Sequence, residues 1–418
     1  MKKSFSFVLL LSSIITTATS IYLFLNNDII GVDLKEISIF LSCIGIILFL
    51  LSIVIFIISN KFYKGFEYGM TYFRVKNSLE KQLFNAKVFE DDDFTIPKFE
   101  LYFDKDLCNG KLILRNSIIL DKRLNEILLS AGLSNYVVEN HYKSKREDNY
   151  IYELIDSNIS FGPEYDSFEE FMEETRHNDS YSLMFDYRFN SVSVNHMLLT
   201  GITGSGKSHF LINLILQALN KEVKYDMYIC DPKRSDLSVM GKKISKEKTA
   251  VDFEEILELF NSFIDRLEER KNTMENLLEK EMNKDYRNFN LEPIIFIVDE
   301  FASFMQEVEA QKKEVRDEVK KNLSKLILQG RQLGCFIWVV MQKSDSDLIN
   351  TRYRENIPIK AVFGASEEQT YVTTFGRNVY VPKYNFEVGE AVLIAPYIAR
   401  NPKVLFAPNL KFDILKSI

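Results

Sequence analysis

The chain has 418 residues, enough for two or three domains, and its 59 acidic residues outnumber its 52 lysines and arginines. The net charge of −7 excludes a globally basic nucleic-acid binder, although it leaves room for a local basic track. The four cysteines lack C-x-x-C spacing and the four histidines lack ligand spacing, so the sequence predicts neither a disulfide framework nor a zinc site.

Two long stretches near the N-terminus, residues 5–25 and 37–59, contain no charged residue. Each is long enough to cross a hydrocarbon core of roughly 30 Å as a helix. Basic residues precede the first stretch and follow the second, whereas the connector at residues 26–36 is mainly acidic. The positive-inside rule therefore predicts that residues 1–60 are a two-span membrane anchor with both chain termini in the cytoplasm. A signal peptide at residues 5–25 and two buried core helices are the alternatives.

Residues 61–180 are predicted to form a membrane-proximal α+β adaptor followed by a linker. Four strand-like segments between residues 97 and 158 flank a predicted helix at residues 121–133. Residues 162–180 are acidic and predict a linker with one short helix. Because no catalytic constellation is visible in this part of the chain, a stalk between the membrane and the following domain is the default interpretation.

From residue 181 to residue 418, strand-like and helix-like segments alternate, which predicts an α/β domain with a parallel sheet covered on both faces. A strand-like run at residues 196–200 leads into a loop of the pattern G-x-x-x-x-G-K-[ST], made of Gly201, Ile202, Thr203, Gly204, Ser205, Gly206, Lys207 and Ser208. A helix-like run follows, so the loop has the context that a phosphate-binding loop requires.

The chemistry of this loop predicts a nucleotide site rather than a chance glycine-rich turn. Its glycines let backbone N–H groups close around phosphate oxygens, and the helix N-terminus adds partial positive charge. Lys207 is predicted to reach the β- and γ-phosphates of ATP, and the Ser208 hydroxyl is predicted to hold Mg²⁺.

Two further strand ends carry candidate catalytic residues. The apolar run at residues 294–298 ends in Asp299 and Glu300, which is the pattern of a Walker B strand. Asp299 is predicted to help hold Mg²⁺ and Glu300 to polarise the attacking water, whereas a helix N-cap pair is the alternative. The run at residues 336–341 ends in Gln342, which is predicted to sense the γ-phosphate from a strand between the two Walker strands. A simple loop residue is the alternative for Gln342.

Basic residues occur at two other places in this domain. The segment Asp231-Pro232-Lys233-Arg234-Ser235-Asp236-Leu237 follows a strand-like run, so it should lie on the ligand edge of the sheet. Its cations and the later lysines, Lys242, Lys243, Lys246 and Lys248, either neutralise nucleotide or DNA phosphates or are solvated. Arg331 closes the helical pattern at residues 301–333 and is either a finger that enters a neighbouring subunit's site or a cation favoured by the helix dipole.

Together these motifs resemble the FtsK/SpoIIIE family of DNA translocases. The resemblance covers roughly residues 183–408 and rests on the loop with its leading strand and on four further motifs in order: Asp231-Pro232-Lys233, residues 298–302, Gly330-Arg331 through Met341-Gln342, and residues 356–360. It implies a RecA-like P-loop ATPase domain, with ATP and Mg²⁺ as ligands, that moves DNA.

The chain is similar to the TcpA-type coupling proteins of Gram-positive conjugative elements in its two spans, its small adaptor, the segment Asp231–Leu237 and the ending at residues 404–410. That similarity implies a membrane-anchored homohexamer that takes relaxase-bound, single-stranded DNA and delivers it to the transfer-channel proteins. Because the chain ends soon after the motor motifs, a DNA-reading winged-helix domain is not expected. An FtsK-like ATPase of a specialised protein secretion system and a nucleotide-dependent membrane scaffold are the alternatives.

Overall fold

The computed structural model describes residues 2–26, 35–89, 95–117, 120–121, 129–158, 162–176, 179–186, 188–189, 192–342, 351–377, 379–382, 385–396 and 399–417. The chain divides into two units, Met1–Asn158 and Ile159–Ile418. Two predicted features lie largely outside the described residues: the connector between the spans, and residues 122–128 of the helix expected at residues 121–133.

Two long apolar helices open the first unit, α1 (Lys2–Leu25) and α2 (Lys35–Ser59). Both are long and apolar enough to cross a membrane. They pack through a polar seam: the Ser20 hydroxyl donates to the Ser38 carbonyl oxygen at 2.7 Å, and the Ser38 hydroxyl donates back to the Ser20 carbonyl oxygen at 2.9 Å. The Ser13 hydroxyl donates to the Gly45 carbonyl oxygen at 2.9 Å. Small residues therefore face inward, and large apolar residues face outward.

The rest of the first unit is an antiparallel sheet covered by a helix. Its elements are a 3₁₀ turn (Phe62–Lys64), α3 (Phe66–Asn85), β1 (Phe99–Phe103), β2 (Asn109–Arg115), a 3₁₀ turn (Leu129–Gly132), β3 (Tyr136–Lys143) and β4 (Asn149–Asp156). The strand order is β1-β2-β4-β3, and every neighbouring pair is antiparallel. Buried residues recur every three or four positions along α3, from Tyr68 to Leu83, which is the spacing of one helical face.

The second unit alternates strands and helices. Its helices are α4 (Phe168–Arg176), α5 (Lys207–Asn220), α6 (Asp236–Ile244), α7 (Phe253–Leu278), α8 (Phe301–Ala310), α9 (Lys313–Leu333), α10 (Thr351–Asn356), α11 (Glu368–Phe375) and α12 (Ile414–Ser417). Its strands are β5 (Glu164–Tyr165), β6 (Ser182–Leu183), β7 (Val192–Ser193), β8 (Met197–Gly201), β9 (Asp226–Cys230), β10 (Thr249–Ala250), β11 (Ile294–Val298), β12 (Cys335–Met341), β13 (Ile359–Phe363), β14 (Glu390–Ala395), β15 (Ala399–Phe406) and β16 (Asn409–Leu410).

Eight of these strands form the central sheet, in the order β10-β9-β11-β12-β8-β13-β14-β15. The expected α/β fold is confirmed, and β12 lies between the two Walker strands as predicted. The sheet is mixed, however, because β13 pairs with β14, and β14 with β15, in antiparallel orientation. Only residues 396–398 separate β14 from β15, a connection too short to return a strand in parallel orientation.

The central strands are buried along their whole length. Every residue of β8, β11 and β12 is buried, so these apolar runs lie between helices on both faces of the sheet. The helical pattern at residues 301–333 forms two helices rather than one, because Gln311 and Lys312 adopt extended backbone angles between α8 and α9. Neither glycine nor proline marks this break, so helix propensity alone does not predict it.

Candidate nucleotide site

The carboxyl ends of β8, β9, β11 and β12 meet at one edge of the sheet, where they surround a cavity of about 340 Å³. In a parallel sheet this edge is where ligands bind. The predicted site residues that line the cavity are Thr203, Gly204, Gly206, Lys207, Ser208, Asp299, Glu300 and Gln342, and Lys233 joins them. Segments more than 130 residues apart in the chain are thus brought to one place.

The backbone of the loop needs glycine at two positions. Gly201 has a φ of +139°, and a Cβ atom there would lie 2.3 Å from the carbonyl oxygen of Phe363. Gly206, the N-cap of α5, has a φ of +98°, and its Cβ would lie 2.8 Å from the nitrogen of Gly389. The loop is therefore packed closely against β13 and against the residue before β14, where only glycine fits without a clash.

Lys207 folds back onto its own loop. Its ammonium nitrogen donates to the carbonyl oxygens of Gly201 at 2.6 Å and Ile202 at 2.7 Å. Burial lowers the pKa of Lys207, and the nearby Lys233 ammonium lowers it further. An anion that enters the cavity therefore meets a poorly solvated cation whose present partners are neutral carbonyl groups.

Asp299 and Glu300 follow β11 directly and are both buried, with 5% and 8% of their surfaces exposed. Burial raises the pKa of Asp299. Glu300 has left-handed backbone angles, φ 60° and ψ 58°, which are uncommon for a residue with a Cβ atom. It occupies the N-cap position of α8, but its side chain makes no capping hydrogen bond. The Glu300 carboxylate instead forms an ion pair with the Lys233 ammonium.

The turn that carries Lys233 is fixed by Asp231, which is fully buried. The Asp231 carboxylate accepts backbone N–H groups of Lys233 at 3.1 Å, Ser235 at 2.6 Å and Ser238 at 3.0 Å. It also accepts the Ser235 hydroxyl at 2.9 Å. The motif therefore lies on the ligand edge as predicted, but the ion pair with Glu300 has no counterpart in the sequence pattern.

Two of the later lysines have partners within the chain. Lys248 pairs with Asp226, and the Lys243 ammonium donates to the Leu415 carbonyl oxygen. These contacts give both cations a structural role, and neither residue lines the cavity.

Gln342 and Arg331 lie in different places. Gln342 lines the cavity, and its backbone carbonyl oxygen accepts the N–H of Gly201 at 3.3 Å. Arg331 instead lines a separate cavity of about 840 Å³ together with Asn195 and Phe336, at the amino ends of β8 and β12. The guanidinium is thus at the sheet edge opposite to the phosphate loop of its own chain.

The oxygen donors in the cavity suit Mg²⁺. Ser208 supplies a hydroxyl and Asp299 a carboxylate to the same cavity, and Mg²⁺ prefers oxygen ligands, with nucleotide phosphates completing its shell. Across the described ranges, no group of three or more His, Cys, Asp or Glu side chains forms a site that the protein alone would complete.

A second cavity of about 600 Å³ adjoins the first and shares Gly206, His209 and Val388 with it; we call it the adjoining cavity. Backbone hydrogen bonds connect its walls to the loop. The Gly389 N–H donates to the Ser205 carbonyl oxygen at 3.0 Å, and the Ala407 N–H donates to the Gly389 carbonyl oxygen at 2.8 Å. Asn409, which lines the cavity, donates its N–H to the Pro163 carbonyl oxygen at 2.8 Å. Sequence reasoning missed this cavity because its walls come from four distant segments, around residues 162–164, 206–209, 387–390 and 406–409, that no single motif connects.

Comparison with known proteins finds a family match over part of the chain. Residues 175–290 match the model of the FtsK/SpoIIIE family. The Ftsk domain-containing protein YdcQ of Bacillus subtilis (strain 168) is 27% identical over 194 residues, which cover 45% of this chain and 38% of YdcQ. The DNA translocase FtsK of Halalkalibacterium halodurans is 27% identical over 192 residues, which cover 41% of this chain and 23% of that protein. The chain therefore spans well under half the length of these curated relatives.

Among solved structures, the conjugation coupling protein TcpA of pCW3, a monomer form with ATPγS, superposes with a TM-score of 0.50. The two are 17% identical, and the superposition covers 82% of this chain and 96% of that one. At this identity the likeness shows a shared fold.

Proposed function

Since the chain carries an FtsK/SpoIIIE domain with the fold of a P-loop ATPase, we propose that it is a membrane-anchored ATPase that translocates DNA. The observation that carries this proposal is the convergence of Lys207, Ser208, Asp299 and Glu300 on one cavity at the carboxyl edge of the sheet. A phosphate-binding loop, an oxygen-donor pair and a buried carboxylate beside them are the parts that nucleotide hydrolysis requires.

Each part has a chemical task in the proposed reaction. The loop N–H groups and the N-terminus of α5 hold the phosphates, and Lys207 leaves its carbonyl partners to bind them. Ser208 and Asp299 would hold Mg²⁺, which when bound would neutralise charge on the phosphate oxygens. Glu300 accepts a proton from the attacking water as the bond to the terminal phosphate breaks.

The adjoining cavity is a suitable site for the nucleoside part of ATP. It opens beside Gly206, at the start of α5, so a nucleotide whose phosphates lie in the loop reaches it without a break. Its walls at residues 387–390 and 406–409 are held to the loop by backbone hydrogen bonds. We therefore assign the base and ribose to this cavity.

The pair α1 and α2 is proposed to anchor the chain in the membrane. Large apolar side chains on their outer faces, such as Phe7 and Ile47, are more than half exposed, which is costly in water and favourable in lipid. The hydrogen bonds between Ser20 and Ser38 make the helices a single hairpin, an arrangement that favours two retained spans over a cleaved leader. Protease protection of tags at both termini tests the proposed cytoplasmic location of each.

DNA is proposed as the cargo, and conjugative transfer as the process. The relative from H. halodurans is a DNA translocase, and the TcpA structure is that of a conjugation coupling protein. By the motif resemblance, this chain delivers relaxase-bound, single-stranded DNA to the transfer channel as a homohexamer. In such a ring, Arg331 is proposed to reach the phosphate site of the next subunit from the opposite sheet edge.

The deciding experiment measures ATP hydrolysis by the full chain in lipid nanodiscs, with no DNA, single-stranded DNA or double-stranded DNA. The same chain with Lys207→Ala or Glu300→Gln is scored for plasmid transfer in cells. DNA-stimulated hydrolysis and loss of transfer in both variants are expected. Normal transfer with both variants refutes the proposal. Nucleotide binding without turnover indicates a scaffold, and a loss confined to protein export indicates a secretion ATPase.

A further inference from the structure

The Lys233 ammonium and the Glu300 carboxylate form an ion pair inside the nucleotide cavity. The Glu300 side chain is 10% exposed and the Lys233 side chain 41%, so the cation has room to move while the carboxylate does not. Among the described residues, Lys233 is the only side chain paired with the Glu300 carboxylate. The group proposed to activate water is thus paired with a cation.

The backbone on both sides of this pair is fixed. Asp231 holds the Lys233 backbone by accepting its N–H group and those of two later residues in the turn. The next residue, Arg234, is left-handed with a φ of 56°, and its guanidinium donates to Asp252 at 2.6 Å. Glu300 is likewise left-handed at the start of α8. Any change in the pair must therefore come from the flexible Lys233 side chain, with its four-carbon stem.

The terminal phosphate of a bound nucleotide would compete with Glu300 for the Lys233 ammonium. Lys207 and Asp299 line the same cavity as the pair, so phosphates held by the loop come within reach of the Lys233 ammonium. A terminal phosphate carries more negative charge than one carboxylate and offers three acceptor oxygens, so it competes well for an ammonium group.

We infer that Lys233 is a positioning residue that restrains Glu300 through their ion pair and releases it when the Lys233 ammonium binds the terminal phosphate of a nucleotide. The exchange frees the carboxylate to accept a proton from water only when a triphosphate is present. This inference rests on the proposed ATPase function and adds a control on its general base.

A double-mutant cycle tests the exchange in the full chain without requiring hydrolysis. Affinities for ATPγS and for ADP are measured for the wild type, Lys233→Met, Glu300→Gln and the double variant. If Glu300 competes with the phosphate for Lys233, the Glu300→Gln substitution should tighten ATPγS binding in the chain that retains Lys233. In the Lys233→Met background, the same substitution should tighten ATPγS binding about three- to tenfold less. Lys233→Met is also expected to weaken ATPγS binding and to leave ADP affinity within about twofold, because ADP lacks the terminal phosphate.

Additive effects of the two substitutions overturn the inference, as does equal weakening of ATPγS and ADP by Lys233→Met. Either result would make the ion pair a static contact. Failure of the wild type to bind ATPγS would instead refute the proposed function. Lys321→Met, an exposed lysine on α9, is the matched control and should change neither affinity. Folding is checked by the fluorescence of Trp338, the chain's one tryptophan. Lys233→Gln replaces Lys233→Met in the cycle if the latter does not fold.

Discussion

The side-chain nitrogen of Lys207 lies 2.6 Å from the carbonyl oxygen of Gly201, the first residue of its own phosphate loop. The ammonium of Lys207 is thus paired with neutral carbonyl groups of its own loop. Nucleotide binding has to open this contact, and the energy to do so comes from replacing a neutral carbonyl group with an anionic acceptor.

Replacement of that cation should weaken nucleotide binding. Lys207→Ala removes one charged hydrogen-bond donor, a loss of about 1.5–3 kcal/mol, and affinity for a fluorescent ATP analogue should therefore fall about ten- to a hundredfold or more. Lys224→Ala, at an exposed lysine beyond the end of α5, is the control and should bind as the wild type does. Equal affinities in the two variants would show that the loop does not hold phosphate.

Loss of the Glu300 carboxylate should separate binding from turnover. A general base contributes about 10²- to 10⁴-fold, so ATP hydrolysis by Glu300→Gln should fall by that factor while ATPγS still binds. Steady-state phosphate release and equilibrium binding measure the two quantities. Glu307→Gln, an exposed position on the same helix α8, should hydrolyse ATP at the wild-type rate. Hydrolysis that survives in Glu300→Gln would remove this residue from the mechanism.

Two glycines of the loop should respond differently to alanine. Gly204 has a φ of +77°, and no atom lies within 4 Å of the position that a methyl group would take there, so Gly204→Ala should cost about 1–2 kcal/mol of unfolding free energy. At Gly201 the methyl group would also meet the Phe363 carbonyl oxygen at 2.3 Å, and the cost should reach about 3 kcal/mol or more. Urea unfolding followed by Trp338 fluorescence measures both, since Trp338 is buried in β12. Equal costs would contradict the close approach of β13.

His196 should make the folding stability of the second unit sensitive to acid. It is fully buried, its Nδ1 accepts the N–H of Ile337 at 3.1 Å, and burial lowers its pKa to about 3. Because the unfolded chain binds this proton near pH 6.5 and the folded chain does not, stability is lost as pH falls below that value. From pH 7 to pH 5 the loss should be about 2 kcal/mol.

His196→Asn keeps an acceptor near Nδ1 and cannot titrate, so it isolates this effect. The difference in unfolding free energy between wild type and variant should shrink by about 2 kcal/mol between pH 7 and pH 5. Trp338 again provides the readout, because its indole N–H donates to the carbonyl oxygen of Asn195, beside His196, at 3.0 Å. A difference that does not change with pH would show that His196 titrates normally.

The position of Arg331 at the opposite sheet edge makes complementation possible. If Arg331 acts on a neighbour's site, Arg331→Ala and Lys207→Ala should each be inactive alone. Their equal mixture should regain hydrolysis, because about a quarter of the interfaces would combine an intact loop with an intact arginine. Full activity of Arg331→Ala alone would rule out the finger and leave the helix-dipole interpretation.

Local motifs made the phosphate site predictable. The loop at Gly201, the carboxylates at Asp299 and Glu300, and Gln342 each follow an apolar strand, and parallel strands bring such positions to one edge. The two apolar helices were equally visible, because their length and lack of charge need no tertiary information.

Other features depend on tertiary structure and left no local signal. The break between α8 and α9 contains neither glycine nor proline. The antiparallel pairing of β14 with β15 follows from their short connection, and the length of that connection is known only once the two strands are located. The ion pair of Lys233 with Glu300 joins residues from two separate motifs, and the left-handed backbone of Glu300 is not predicted by its residue type. The roles assigned to the site residues and the domain boundary at residue 181 stay predictions.

Backbone hydrogen bonds connect Ser205 to Gly389, Gly389 to Ala407, and Asn409 to Pro163. They have a practical consequence for the expression of the second unit as a separate fragment. β5, at Glu164–Tyr165, pairs with β16. Tyr165 and Phe171 are both almost fully buried in the core of the second unit. A recombinant fragment that starts at residue 181 would expose that core and cut away one wall of the adjoining cavity. Expression boundaries should therefore be drawn upstream of Gly162, so that the fragment keeps the strand that closes its nucleotide pocket.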